Sequence, residues 1–240
     1  MYETLSYDER GEIAVVTLKR TRINVRQIRE LERVCDHLDD VSQTKVVVLR
    51  GHSEGIDFLD FDPKEAMDIH GFNKWEKLVN RIETLDKVTV ALVDGPCVGG
   101  GFQVLLACDQ RICLPTASFQ LPEVRQGFLP GMACYRLAKY VGLGTAKRIV
   151  MTGCVVSAEE ALRLGLVDMV SADLDAALKK TIESFGPMHT TAFTLARRLL
   201  NESYDTGFED AIGNFLAAQH RAISQTAFLE TLRAEHKKKQ

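Results

Sequence analysis

The stretch GEIAVVTLKR (11–20) is apolar and rich in β-branched residues, which predicts a strand. VRQIRELERVCDHLDD (25–40) follows with Ile28, Leu31, Val34 and Leu38 spaced three or four apart, the period of an amphipathic helix. KVVVLRG (45–51) and KVTVALVDG (87–95) are almost unbroken apolar runs, as strands buried on both faces are. Between them FNKWEKLVNRIETL (72–85) predicts a second helix. A short strand, QRICL (110–114), leads into a polar, glycine-punctuated loop over 117–131. Helices then run through 132–141 and 145–151. Strands and helices that alternate across short turns predict an α/β fold with a mainly parallel sheet. Beyond about residue 187 the strand signal stops. TAFTLARRLL and EDAIGNFLAAQHRAI are amphipathic helices with little of their own to fold against. Residues 1–186 are therefore expected to form the core domain, and 187–240 a helical layer lying on that core or on a neighbouring subunit.

Composition narrows the function classes. The 240 residues are 45% hydrophobic and 26% charged with a net charge of −3, enough apolar material for a sizeable core and no broad basic face for nucleic acid. The one basic cluster, 237–239, reads as a solvated tail. Six cysteines form no CxxC pair and no zinc-ligand spacing, so neither a disulfide framework nor a metal is expected. No run approaches the roughly 18 apolar residues of a membrane span. MYETLSYDERGE at the start has neither a basic nor an apolar leader segment. A soluble protein in a reducing cytoplasm, free of membrane contact, is the expectation.

The stretch DGPCVGGGFQVLLACDQRI (94–112) carries the candidate chemistry. Gly99, Gly100 and Gly101 stand between a strand and a helix, where bare backbone exposes N–H groups at a helix start. The GxGxxG spacing and the Walker lysine are both missing, which argues against a nucleotide phosphate. A developing oxyanion suits the site better, since it needs two donors from separate backbone segments. GHSEGIDFLDF (51–61) leaves the neighbouring strand at the same sheet edge, so the Ile56 N–H could face the same point as that of Gly100. On these residues alone, glycines that merely permit close backbone packing remain an equal alternative.

Four blocks resemble the crotonase (enoyl-CoA hydratase/isomerase) superfamily, in order and at that family's spacing: SEGIDF, GPCVGGGFQVLLACDQRI, ASFQLPEVRQGFLPGMACYRLAKYVG and VMTGCVVSAEEALRLGLVDMV. The resemblance covers about residues 3–170. It implies a spiral of ββα turns with a helical C-terminal region used for assembly into trimers or dimers of trimers. It further implies an oxyanion hole, formed by the N–H groups of Ile56 and Gly100, that binds a thioester carbonyl and stabilises its enolate. Gly55, Asp57, Gly99, Gly101 and Gly131 would line the thioester site. The substrate would be an acyl-CoA or acyl-carrier-protein thioester, with coenzyme A part of the substrate and no metal or redox cofactor.

Hydratases of that family carry two glutamates, but here the first position is Gln103 and only the second, Glu123 in QLPE, is an acid. An amide both donates and accepts hydrogen bonds yet takes no proton near neutral pH, whereas Glu123 can if Leu121, Pro122 and Val124 raise its pKa. A lone glutamate at this place resembles the Δ3,Δ2-enoyl-CoA isomerases. GFQ with PE also resembles the carboxymethylproline synthases, which form an enolate by decarboxylation and carry a C-terminal histidine where this chain has His220. DGPC and PGMACYRL are similar to crotonase-like proteins of polyketide and dihydroxyphenylglycine pathways. This region departs from the family: the loop between Gly51 and Gly55 is shorter and lacks the aromatic-small pair before its glycine, and Asp57, Asp60 and Asp62 stand where the family has one aspartate, which would disfavour an anionic acyl group. Arg20, Arg22 and Arg26 are candidates for the phosphates of coenzyme A. The expected reaction is double-bond isomerisation or (de)hydration through an enolate with Glu123 as acid and base. Decarboxylative carbon–carbon bond formation comes second, and a low-activity partner of a synthase is the non-enzymatic rival.

Overall fold

The computed structural model describes residues 2–19, 24–51, 69–185 and 190–238. The chain divides into two compact units, Met1–Thr181 and Ile182–Gln240.

The first unit begins with a hairpin that hydrophobic patterning did not announce. β1 (Leu5–Arg10) buries little beyond Leu5, and takes its place by antiparallel pairing with β2 (Ile13–Leu18), Leu5 opposite Leu18. Gly11, at φ +61, makes the turn between them. α1 (Val25–Asp40) has the predicted bounds. Asn24 caps it by accepting the Gln27 N–H at 2.9 Å, and Ile28, Leu31, Val34 and Leu38 are all buried. β3 (Val46–Arg50), α2 (Ile69–Thr84) and β4 (Val88–Val93) follow, and every residue of β4 is buried.

From β4 onward the path repeats. β4, then β5 (Pro96–Val98), then α3 (Gly100–Leu106) make one turn; β6 (Gln110–Cys113), β7 (Ser118–Gln120) and α4 (Ala133–Thr152) make the next. In each, the first strand joins a six-stranded sheet and the second a three-stranded one, so successive turns stack as a spiral. The large sheet has the order β1-β2-β3-β4-β6-β9, with β9 at Met169–Val170, and is parallel apart from β1/β2. In the small sheet β5 pairs parallel with β7, which pairs antiparallel with β8 (Val156–Ser157). This is the α/β spiral of ββα turns that the resemblance implied. α5 (Ala158–Arg163) and α6 (Leu174–Ser184) complete the order of elements up to residue 185.

Two apolar clusters hold this unit. One joins α1, α2 and the first strands around Trp75, Leu78 and Val16. The other joins α3, α4 and the small sheet around Phe102, Phe119 and Leu137. Cys35, Cys97, Cys108 and Cys113 are buried as unoxidised thiols. The break predicted between two helices at 141–145 is a kink at Gly142 (φ +74) inside α4.

In the second unit α7 (Thr190–Glu202), α8 (Phe208–Ile223) and α9 (Thr226–Lys238) are all helical. α8 packs on α7 and α9, and Phe185 meets Phe193 edge-on at 5.8 Å. Phe208, Ile212, Phe215 and Leu216 remain exposed on α8.

Candidate active site

β4 ends at Val93, and the chain crosses β5 into the three glycines. Gly99 takes φ +57 and ψ −118, which a residue with a Cβ rarely adopts, and its N–H donates to Gln120 O at 3.0 Å. That bond and the β5/β7 pairing set the start of α3 beside the segment bearing Glu123. Gly100 and Gly101 are buried on the first turn of α3. At the carboxyl ends of β2, β3 and β4, Gly51 and Gly101 border an apolar pocket walled by Leu18, Leu49, Ala91 and Val104. Gly51 sits at φ +140, and a Cβ there would come within 3.2 Å of Leu18 Cβ, so a bare backbone is required where the chain leaves β3.

Glu123 opens a 3-10 turn, Glu123–Gln126, that Gly127 closes at φ +86. The sequence placed this glutamate on a polar loop, yet only 3% of it is exposed. Among the described residues its own backbone N–H is the one donor its carboxylate finds, and Oε2 is buried without a hydrogen bond to any of them. Burial therefore pushes the carboxyl up to about 7. Leu121 is fully buried beside it, while Val124, expected to share in covering it, is 39% exposed.

Gln103 stands one turn into α3, 2% exposed, with Oε1 buried and without a partner among the described residues. Its Nε2 donates to Glu76 of α2, an acid that sequence reading did not single out. Glu76 Oε1 also accepts the Met132 N–H at 3.1 Å, and Oε2 lies 3.8 Å from Arg136 Nη1. Arg136, itself buried on α4, is held by Glu83 at 2.8 Å. Burial raises the Glu76 carboxyl above its ordinary range, opposed by these donors. Gly131, at φ +52, explains how they fit. A Cβ there would collide with Glu76 Oε1 and stand 2.7 Å from Gln103 Nε2. Cys134 on the first turn of α4 joins the group. Desolvation first, then the nearby Glu123 and Glu76 carboxylates, push its thiol up. Glu76 and Glu83 do leave one trace in the sequence. They fall three before and four after Val79, at the edge of the apolar stripe rather than on the opposite face.

Gln103, Glu123, Gly99, Gly100, Gly101 and Gly131 thus lie within the first unit around α3 and the start of α4. Gly55, Ile56, Asp57, Asp60, Asp62, Arg20 and Arg22 lie outside the described residues. Arg26, a candidate for a phosphate, is exposed and paired with Glu3. His220 is exposed on the last turn of α8, in the second unit. Among the described residues no group of three or more His, Cys, Asp or Glu side chains is placed to hold a metal, and no helix is long and apolar enough to cross a membrane.

Comparison with known proteins agrees with this fold. The family model described as enoyl-CoA hydratase/isomerase matches residues 8–239. An enoyl-CoA hydratase of Amycolatopsis orientalis is 32% identical over 217 residues, covering 90% of this chain and 98% of that one. The crystal structure of an enoyl-CoA hydratase from Thermoplasma volcanium superposes with a TM-score of 0.86 at 28% identity, covering 96% of each chain. That of a Mycobacterium smegmatis enoyl-CoA hydratase reaches 0.90 at 21% identity, a likeness of fold, covering 98% and 97%. With nearly the whole length matched, this chain belongs to the enoyl-CoA hydratase/isomerase family of enzymes.

Proposed function

We propose that this enzyme forms an enolate from an acyl thioester, carried on coenzyme A or on a carrier protein, and that Glu123 moves the proton. The observation that carries this reading is Glu123 itself: buried, with an Oε2 that has no hydrogen bond among the described residues and a carboxyl pushed up to about 7. A base and acid used at neutral pH works best with its pKa near the ambient value. In this reading the N–H groups of Gly100 and Ile56 take the negative charge that develops on the thioester oxygen, a contribution of about 3–4 kcal/mol for each such donor.

Two reactions follow from one enolate. In isomerisation Glu123 takes a proton from the α-carbon of a β,γ-unsaturated acyl group and returns it to the γ-carbon, which moves the double bond to the α,β position. In hydration it takes a proton from water as the oxygen bonds to the β-carbon, then delivers it to the α-carbon; dehydration is the reverse. Gln103, which takes up no proton near neutral pH, leaves Glu123 as the acid and base in both. The apolar pocket between Leu18 and Gly101 suits an uncharged acyl chain. The exposed apolar stripe of α8 suits self-association, and a homotrimer or a dimer of trimers belongs to the same proposal.

The test is deuterium uptake at the α- and γ-carbons of a panel of acyl-CoA thioesters in heavy water, wild type beside Glu123→Gln. Exchange that disappears in the variant supports the reading, and the labelled carbon tells isomerisation from hydration. No exchange into any thioester by the wild type would overturn it in favour of a crotonase-fold partner without turnover.

A further inference from the structure

The buried side of Gln103 holds chemistry that the proposed reaction leaves unused. Glu76 comes from α2 and reaches its neighbours across the start of α4, where Gly131 has no side chain to block it. Its Oε1 accepts the Met132 N–H, and Oε1 and Gln103 Nε2 both crowd the point where a Gly131 Cβ would stand, which sets the amide NH2 beside the Glu76 carboxyl. Arg136 lies on the side of its Oε2 and is held there by Glu83. A carboxylate only accepts, so the amide must turn its NH2 toward Glu76 and its oxygen away. That oxygen, Gln103 Oε1, is buried and has no partner among the described residues. Left to itself, a glutamine amide presents either face, donor or acceptor, since its two ends have nearly the same shape.

We propose that Glu76 is the positioning residue of this site: its carboxylate holds the Gln103 amide with Nε2 toward α2, so that α3 presents a fixed hydrogen-bond acceptor, Oε1, to the reacting thioester or its water. The inference rests on the enolate reading above, and it gives Gln103 a defined task. An acceptor in that place orients an O–H hydrogen while Glu123 handles the proton that moves. A donor in the same place would compete with the oxyanion hole for the thioester oxygen, or bind the Glu123 carboxylate and hold it ionised. Glu76 touches neither substrate nor Glu123 in this account; it acts through the amide.

Two measurements on the full chain test it. In the first, the Nε2 protons of Gln103 are followed by NMR in protein labelled with nitrogen-15 at glutamine side chains. In wild type one of the two should exchange slowly with solvent, and Glu76→Gln should shift their resonance. In the second, the rate of thioester deuterium exchange is compared across Glu76→Gln, Gln103→Ala and the double variant. Glu76→Gln should lower kcat roughly 10- to 100-fold with little change in KM, as a misplaced group does. In the Gln103→Ala background it should cost nothing further. Fast exchange of both Nε2 protons in wild type overturns the proposal even if Glu76→Gln fails to fold. So does an equal loss from Glu76→Gln in the two backgrounds, which would make Glu76 a structural group only. Should the amide behave as expected while wild type exchanges no thioester proton, the enolate reading falls, and the kinetic half of this proposal with it.

Discussion

Glu30 and Glu123 are buried to nearly the same degree, 6% and 3% exposed, and have opposite characters. Glu30, on α1, accepts the Glu3 and Thr4 N–H groups at 2.9 Å each and the Thr4 hydroxyl at 2.5 Å. Burial pushes its carboxyl up, but these donors outweigh it and the net shift is downward. Among the described residues Glu123 has only its own backbone N–H, and it is pushed up to about 7. The first carboxylate is a rivet between α1 and the entry to β1. The second is a group kept short of partners, which a protein retains at a cost in stability when its protonation has work to do. Burial alone does not single out a candidate acid; burial with few donors does.

The comparison breaks most visibly in the rates. Replacing Glu123 with Gln should cut thioester deuterium exchange by about 10²- to 10⁴-fold, the usual contribution of a positioned acid or base. Glu30→Ala should leave the rate per folded molecule unchanged. In stability the order reverses. Glu30→Ala should destabilise the chain by about 3 kcal/mol in urea unfolding at neutral pH, having removed three bonds to a charged group. Glu123→Gln should instead stabilise it above pH 7.

The sign follows from linkage. A carboxyl raised from 4.5 to about 7 on folding favours the native state fully below pH 4.5. That advantage is lost as pH rises through 7, and amounts to about 3 kcal/mol at most. Thermal melts of wild type and Glu123→Gln should therefore diverge between pH 4.5 and 7 and run parallel beyond. Glu30 works on the other limb: its contribution is present above the ordinary carboxyl range and lost as pH falls through its depressed value. The rate of proton abstraction should rise tenfold per pH unit up to about 7 and then level, if Glu123 must be ionised to act.

The smallest expected effect sharpens the picture around Gln103. Gly131→Ala puts a methyl group against Glu76 Oε1 at a backbone angle that favours glycine. A loss of about 1–3 kcal/mol in stability is expected, typical of strain at such a position. Exchange activity should fall by less than in Glu76→Gln, because Glu76 can shift rather than vanish.

Much of this was legible in the chain. The bounds of α1 follow from Asn24 and from Ile28, Leu31, Val34 and Leu38, because helix period and capping are local. The same locality exposes β3 and β4 as buried strands and marks Gly99–Gly101 as bare backbone. The presence of Glu123 and the want of an acid at position 103 are matters of residue identity, read directly. What pattern could not show depends on contacts between segments far apart. β1 is mostly exposed and carries no hydrophobic signal; its pairing with β2 makes it a strand. Glu123 looks like a loop residue until β7 and the 3-10 turn carry it inward and strip away its donors. Glu76 reads as an ordinary helix-surface acid 27 positions before Gln103, and only the meeting of α2, α3 and the start of α4 joins the two. Side-chain identity and local period are written along one dimension. Desolvation, and with it the pKa of a carboxylate, is set by atoms that arrive from elsewhere in the chain.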